Sequence, residues 1–212
     1  MTGWWARVQN PEMREMKRRE ESEVDPVAAL EALQADPRYL SNLDWGKPRS
    51  GHPEGTIRAH LKELESSLRQ LASRLSRWEI DRLRLLIHSH DTFKPDATPG
   101  VPISDPRSHA SLAREFLAEF FPDPDLLAMV QSHDEPFALW NRTRGGRSHD
   151  SARVERLLAE IGNHDLFSAF LLVDGCTRGK TGEPLRWWFL TTAERTGTRF
   201  GVDDVDWLCC GR

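Results

Sequence analysis

The sequence contains little that would suit a secreted, membrane-spanning or nucleic-acid-coating protein. Its three cysteines, Cys176, Cys209 and Cys210, form neither a disulfide framework nor a CxxC zinc knuckle. No apolar run approaches the roughly 18 residues of a membrane span, and the N-terminal segment has no apolar core of a secretory signal. The formal net charge is −4, so there is no global basic field to drive nonspecific nucleic-acid binding. We therefore expect a cytoplasmic protein in a reducing compartment, without a membrane partner or general nucleic-acid binding.

Strand patterns are missing as well, and helical patterns take their place. The apolar fraction of 38% and the charged fraction of 29% are typical of a globular chain with one good core. Apolar residues recur every three or four positions, which predicts an all-α fold. The expected organisation is a charged, helical N-terminal extension over 1–50, a main domain over 51–180, and a C-terminal helix and tail over 181–212 that packs on it.

The helices can be placed from this periodicity and from their caps. Thr56 is the expected N-cap of a long amphipathic helix, and proline-rich segments separate the helices that follow. The basic segment from Asn141 to Asp150 is expected to be a flexible loop. The predicted helices cover 27–34, 57–75, 78–90, 107–121, 123–133, 152–161, 165–177 and 185–194.

Six residues that suit transition metals lie at core-facing positions of these helices. Imidazole and carboxylate are ligands that iron, manganese, cobalt, nickel and zinc accept. One histidine on an apolar face is more often a satisfied core residue than a ligand, but this explanation is improbable for an ordered series of six. Because a helix offers about one ligand per turn on a given face, several helices must converge to build the site. The series consists of His60, His90, Asp91, His109, His133 and Asp174.

The order of these residues, H…HD…H…H…D, resembles the signature of the two-metal branch of the HD-domain superfamily of metal-dependent phosphohydrolases. Residues 51–60 (GHPEGTIRAH) resemble a segment of HD domains attached to bacterial CCA-adding enzymes. Residues 85–94 (LLIHSHDTFK) resemble the apolar-HD-x-x-K segment, and residues 169–175 (AFLLVDG) resemble the final helix. The resemblance covers about residues 51–180 and implies an HD-domain helical bundle with the metal site at the centre of converging helices.

The resemblance also implies a chemistry. Two divalent transition-metal ions would be bound, with iron favoured over manganese, cobalt, nickel and zinc. They would activate a hydroxide that cleaves a phosphate ester or anhydride of a small substrate such as a nucleotide or a 3′-terminal or cyclic phosphate. The implied ligand assignment is Asp91 bridging the ions, His60, His90 and Asp174 at the first ion, and His109 and His133 at the second.

Basic residues near these segments are the expected substrate contacts. Lys94 matches the lysine of HD-x-x-K and is expected to stabilise the charge that develops on the phosphate, beside Asp91. Arginine can add bidentate contacts to phosphate oxygens. The candidates are Arg142, Arg144, Arg147 and Arg178, with Lys180 beside the last of these.

Two other functions stay open at this stage. Members of the two-metal branch with a similar ligand set use a mixed-valence di-iron centre to oxidise a C–H bond next to a hydroxyl, on small hydroxylated or phosphonate substrates. A non-catalytic binding module of the same fold is the second alternative. The chain also has eight tryptophans, and the Trp4-Trp5 and Trp187-Trp188 pairs leave open a homodimer interface.

Other histidines and one aspartate near the series have more ordinary explanations. His149-Asp150 and His164-Asp165 are further HD dipeptides, but each is expected to begin a helix. His88 lies on the opposite side of its helix from His90 and is expected at the surface or behind the ligands. Asp134 could orient a ligand, and His52 is expected in a loop.

Overall fold

The structure, a computed structural model, describes residues 24–144, 146, 148 and 150–210. Over these residues it is all-helical, which confirms the predicted fold class, and its only bridge of strand type joins Arg49 to His52. The helices are α1 (Pro26–Ala35), α2 (Pro37–Asn42), α3 (Ile57–Leu71, followed by a 3-10 turn at Ala72–Arg74), α4 (Arg77–Ser89), α5 (His109–Phe120), α6 (Pro124–Ser132), α7 (Glu135–Arg144), α8 (Ser151–Glu160), α9 (His164–Gly175), α10 (Glu183–Thr196) and α11 (Val202–Cys210).

Several predictions fall outside the described residues. They concern the charged extension up to residue 23, the Trp4-Trp5 pair, Arg147 and His149. Among the helices that are described, none is long and apolar enough to cross a membrane.

Side-chain caps fix where the ligand-bearing helices begin. Thr56 accepts a hydrogen bond from the backbone N–H of Ala59 at 3.2 Å, as predicted for the N-cap of α3. Ser76 precedes α4 and forms a reciprocal capping box with Glu79. Asp123 caps α6. Because these caps set the start of α3, α4 and α6, they also set where the residues further along each helix come to lie.

The core is built around α3, α4 and α9, which pack against one another. Leu64, Leu83 and Phe170, one from each helix, are completely buried. Burial of such side chains contributes about 1.5–3 kcal/mol each. Helices α5 and α6 cover α4, while α10 and α11 cover α9. The three central helices are therefore the most constrained part of the fold, and they carry most of the predicted ligands.

Helices α7 and α11 were not predicted. Residues 141–144 form the end of α7 and not a loop. Pro136 stands in the first turn of this helix, where its missing N–H costs nothing. In α11, Val205 and Leu208 are completely buried. Both segments are short, and tertiary contacts with α10 stabilise them more than their own sequence does.

Cys176 and Cys209 form a disulfide between the end of α9 and α11. The sequence was expected to form no disulfide framework, and this single bond was not foreseen. Their separation of 33 residues gives no local sequence signal, and only the fold brings them together. The expected reducing compartment rested on unpaired cysteines and loses that support.

Candidate metal centre

The six predicted ligands converge from five helices at one place in the core. Consecutive side chains within a helix point about 100° apart. At a helix end this constraint no longer applies, so two neighbouring side chains can reach the same point. His90 and Asp91 do this, with Nε2 of the histidine 3.5 Å from Oδ2 of the aspartate. The positions are His60 one turn into α3, His90 and Asp91 at the end of α4, His109 at the start of α5, His133 at the end of α6, and Asp174 in the last turn of α9.

Four of the six side chains are almost completely inaccessible to solvent. His60, His90, Asp91 and His133 are exposed by 4%, 1%, 6% and 5%, and the remaining two are partly buried. Burial of an ionisable group without a compensating partner costs several kcal/mol. A folded chain does not collect such groups in its core unless they are paired with one another or with an ion.

The first group of donor atoms surrounds Oδ2 of Asp91 and Oδ1 of Asp174. Nε2 of His60 lies 3.1 Å from the Asp174 oxygen and 3.9 Å from the Asp91 oxygen. Nε2 of His90 lies 3.5 Å and 4.0 Å from Asp91 and Asp174, respectively. Two ligands about 2.0–2.2 Å from one ion, at roughly tetrahedral or octahedral angles, are about 3–3.6 Å apart. The observed separations are therefore close to those that one shared ion requires.

The second group surrounds the other oxygen of Asp91. Oδ1 of Asp91 lies 3.9 Å from Nε2 of His109 and 3.6 Å from Nε2 of His133, and these two nitrogens are 3.3 Å apart. Asp134, which the sequence only suggested as an orienting residue, joins this group, with Oδ2 3.2 Å from Nε2 of His109. Asp91 thus directs one oxygen to each group. Both groups contain a His/Asp triad that could hold a metal ion.

His90 and His133 direct Nε2 to the centre because their Nδ1 atoms are engaged elsewhere. Nδ1 of His90 lies 3.0 Å from the carbonyl oxygen of Ile87, and Nδ1 of His133 lies 2.7 Å from that of Val130. A carbonyl only accepts, so Nδ1–H donates and Nε2 is the nitrogen that faces the centre, where it can bind a metal once the imidazole is neutral. Among the described residues, Nε2 of His90 and Oδ1 of Asp91 are buried without a hydrogen-bond partner. These two orphaned donor atoms fit the residues to a metal ion.

Glu54 lies behind the first group and was not recognised as a site residue. Its Oε1 is 3.1 Å from Nδ1 of His60 and 3.0 Å from Nδ1 of His52. The backbone places it there through Gly55, whose φ of 82° and close approach to Pro48 leave no room for a Cβ. The carboxylate is thus positioned to orient His60, and the HPEG segment is where the sequence encodes this arrangement.

Two lysines neutralise the buried carboxylates. Nζ of Lys94 lies 2.5 Å from Oδ2 of Asp91, and Nζ of Lys180 lies 2.8 Å from Oδ1 of Asp174. Burial alone would raise the pKa of both carboxyls, but Lys94 and Lys180, with the nearby histidines, hold each pKa well below its usual range. Both aspartates are therefore ionised and available as ligands.

The histidines titrate differently because their surroundings differ. Burial lowers the pKa of His90 to about 4, so this side chain is neutral, the form that binds a metal. Burial would also lower the pKa of His60, but the Asp174 and Glu54 carboxylates raise it to about 9. For His133, the carboxylates of Asp134 and Asp91 overcome burial and raise the pKa to about 9. The centre therefore carries protons that a metal would replace.

A cavity of about 540 Å³ opens beside the centre. Its polar end includes His133, Asp134, Asp174 and both lysines. Its volume is within the range of small-molecule sites. The centre is thus buried in the core and still reachable from one side.

The predicted arginine contacts are only partly placed at this cavity. Arg144 lines it, and its guanidinium lies 5.1 Å from the ring centre of Trp140. Arg142 is exposed and does not line the cavity. Arg178 is also absent from the lining; its side chain points to Glu63 at 3.5 Å. Lys180, which the sequence offered only beside Arg178, is the basic residue that reaches the centre from that loop.

His88 is not at the surface but in a separate buried cluster. Its Nδ1 lies 2.6 Å from the hydroxyl oxygen of Tyr39, and its Nε2 lies 3.4 Å from Glu65. His88 thus joins α4 to α2 and α3 on the side away from the ligands. Of the other HD dipeptides, Asp150 caps α8 as predicted, and Asp165 lies in the first turn of α9.

Comparison of the chain with protein-family models, curated proteins and solved structures gives no match. The resemblance to HD domains therefore stays a prediction that depends on the motifs alone.

Proposed function

We propose that this protein is a two-metal phosphohydrolase of the HD type, which cleaves a phosphate ester or anhydride of a small substrate. The observation that carries this proposal is the orientation of the Asp91 carboxylate, whose two oxygens face two separate groups of histidine donors. A single aspartate shared in this way is suited to bridge two ions. The order of the ligands along the chain, which resembles the two-metal branch, supports the same interpretation.

The charges around the cavity favour an anionic substrate. When bound, two ions would lower the pKa of a coordinated water and withdraw charge from phosphoryl oxygens. Lys94 and Lys180 are ammonium groups beside the same cavity, and each could contact a phosphate oxygen as a point charge. Their present partners, Asp91 and Asp174, would be neutralised by the ions, so that both lysines would become free to face the substrate. These residues would bind and orient the phosphate next to the metals.

The first test is metal content in matched variants. We expect about two ions per wild-type chain after anaerobic purification, measured by inductively coupled plasma mass spectrometry. Asp91→Ala should lose most of this metal, because it removes a ligand from both groups, and should lose phosphatase activity with it. His164→Ala is the matched control, since His164 also begins an HD dipeptide but lies outside the two groups. Full metal content in Asp91→Ala would contradict the site assignment.

The second test separates hydrolysis from oxidation. The metal-loaded protein should release inorganic phosphate from members of a phosphoester panel in the absence of oxygen. A mixed-valence di-iron signal in electron paramagnetic resonance, with oxygen-dependent turnover and no phosphate release, would replace the hydrolase proposal by the oxygenase. Metal binding without either activity would favour a non-catalytic module.

A further inference from the structure

The cavity has an apolar wall that the metal chemistry does not use. Helix α7 begins two residues after His133, and its residues Phe137 and Trp140 line the cavity. Their ring centres are 5.7 Å apart, with an angle of 44° between the ring planes. Leu171, Pro184 and Leu185 also line it. The cavity therefore joins a charged end at the metal centre to an apolar, aromatic side.

Phe137 has no evident role in the core. Its side chain is 54% exposed, whereas the phenylalanines of the central helices are buried. A large apolar side chain that stays exposed contributes little to the stability of the fold. When its ring lies inside a cavity, it is suited to contact a ligand. The guanidinium of Arg144 over the Trp140 ring continues the same face by one turn. This face, Phe137, Trp140 and Arg144, extends for about 10 Å along the helix.

We infer that the Phe137–Trp140 face of α7 is a binding subsite for a planar ring, so that the preferred substrate is a phosphate ester whose leaving group carries an aromatic or heteroaromatic ring. This inference rests on the proposed function, which assigns the phosphate group to the metal centre. It adds a binding site for the part of the ligand that lies away from the metals. Stacking on an aromatic side chain is possible for every base, because each base has a flat π face. The contact is strong enough to determine which ligand binds more tightly. A cavity of about 540 Å³ is large enough for a ligand that reaches both ends.

The experiment compares two ligands that differ at the anomeric carbon, which carries adenine in one and a hydroxyl group in the other. They are the methylenephosphonate analogues of adenosine 5′-monophosphate and of ribose 5-phosphate, in which CH₂ replaces the bridging ester oxygen and prevents hydrolysis. Isothermal titration calorimetry on anaerobic, Mn²⁺-loaded full-length protein gives both dissociation constants. We expect the ring-bearing analogue to bind at least about fivefold more tightly, as one stacking contact allows.

Two variants show where this preference arises. Phe137→Ala should lower the ratio of the two dissociation constants towards one, and since Phe137 is more than half exposed, the variant is expected to fold. Trp140→Ala should act in the same direction. The matched control is Trp207→Ala on α11, because Trp207 is 48% exposed but does not line the cavity. It should keep the wild-type ratio.

The outcomes distinguish this inference from the proposed function. Equal affinities in the wild type, no binding of either analogue, or an unchanged ratio in Phe137→Ala would overturn the ring subsite. Hydrolysis of both parent esters with equal kcat/KM would do the same while the hydrolase stands. A strong preference for the ring-bearing analogue without hydrolysis of its parent ester would leave the subsite in place and remove the hydrolase.

Discussion

At the scale of single residues, the centre depends on Glu54 as well as on its ligands. Its carboxylate oxygen lies 3.1 Å from Nδ1 of His60, and the negative charge there increases the basicity of Nε2, the atom that faces the centre. Glu54→Gln keeps the volume but removes the charge, and we expect about 10–100-fold weaker metal binding from loss of such a partner. Competition with a chelator of known affinity measures the change.

Glu63→Gln is the control for this substitution. Glu63 lies on the same helix as His60 and accepts from the backbone N–H of Arg178 at 3.0 Å, away from the centre. The same chemical change there should leave metal affinity within about twofold of the wild type. Equal effects of the two variants would show that Glu54 acts through general stability and not through His60.

The sequence singled out the six candidate ligands, which the structure brings together, because each stands at a helical position beside apolar residues. It could not assign partners to the remaining polar residues, since the course of the backbone between the partners decides these contacts. Lys180 reaches Asp174 only through the turn after α9, and His88 finds Tyr39, 49 residues away. Phe137 was missed for another reason. Neither its exposure nor the cavity that it lines can be recognised in the sequence, and both appear only in the folded structure.

At the scale of elements, the residue that caps α6 also pairs this helix with α4. Asp123 caps the helix and also pairs with Arg82, whose side chain is buried on α4 and lies over the rings of Trp78 and Phe121. Asp123→Ala removes the cap and leaves the guanidinium buried without this partner. We expect a loss of about 3–5 kcal/mol in the free energy of unfolding, measured by urea denaturation, as for other broken buried pairs.

Asp36→Ala is the matched control at the start of α2. Asp36 also caps a helix and pairs with an arginine, but Arg38 is 47% exposed. Only the cap and a weak surface pair are lost there, so about 1 kcal/mol is expected. A loss of similar size in both variants would mean that burial of Arg82 does not determine the effect.

The helices missed from the sequence, α2, α7 and α11, differ from the predicted ones in pattern and not in length alone, since α6 and α8, of nine and ten residues, were predicted. The predicted helix from Thr56 begins where the structure has α3, because its leucines repeat every three or four residues over 15 positions. Helix α7 has ten residues and little periodicity, and α11 has nine. A short helix without a clear pattern is marginal alone, and both of these helices pack on α10.

At the scale of the whole molecule, the disulfide joins the C-terminal helix to the core. Cys176 lies two residues after Asp174, so the bond ties α11 to the helix that carries a ligand. Val205 and Leu208 of α11 are also completely buried. Apolar packing therefore holds α11 in place, and the disulfide adds a constraint on the unfolded chain.

This division of roles predicts what Cys209→Ser would change. A bond that closes a loop of 33 residues stabilises the folded state by about 3–4 kcal/mol in the chain-entropy account. Under oxidising conditions we expect Cys209→Ser to unfold at a lower urea concentration than the wild type, and to match the wild type treated with dithiothreitol. Because packing still positions α9, both should retain their metal. Cys210→Ser, which leaves the paired cysteines intact, should behave as the wild type. Insensitivity of the wild type to dithiothreitol would show that the bond contributes no stability, and loss of metal on reduction would show that it helps to position Asp174.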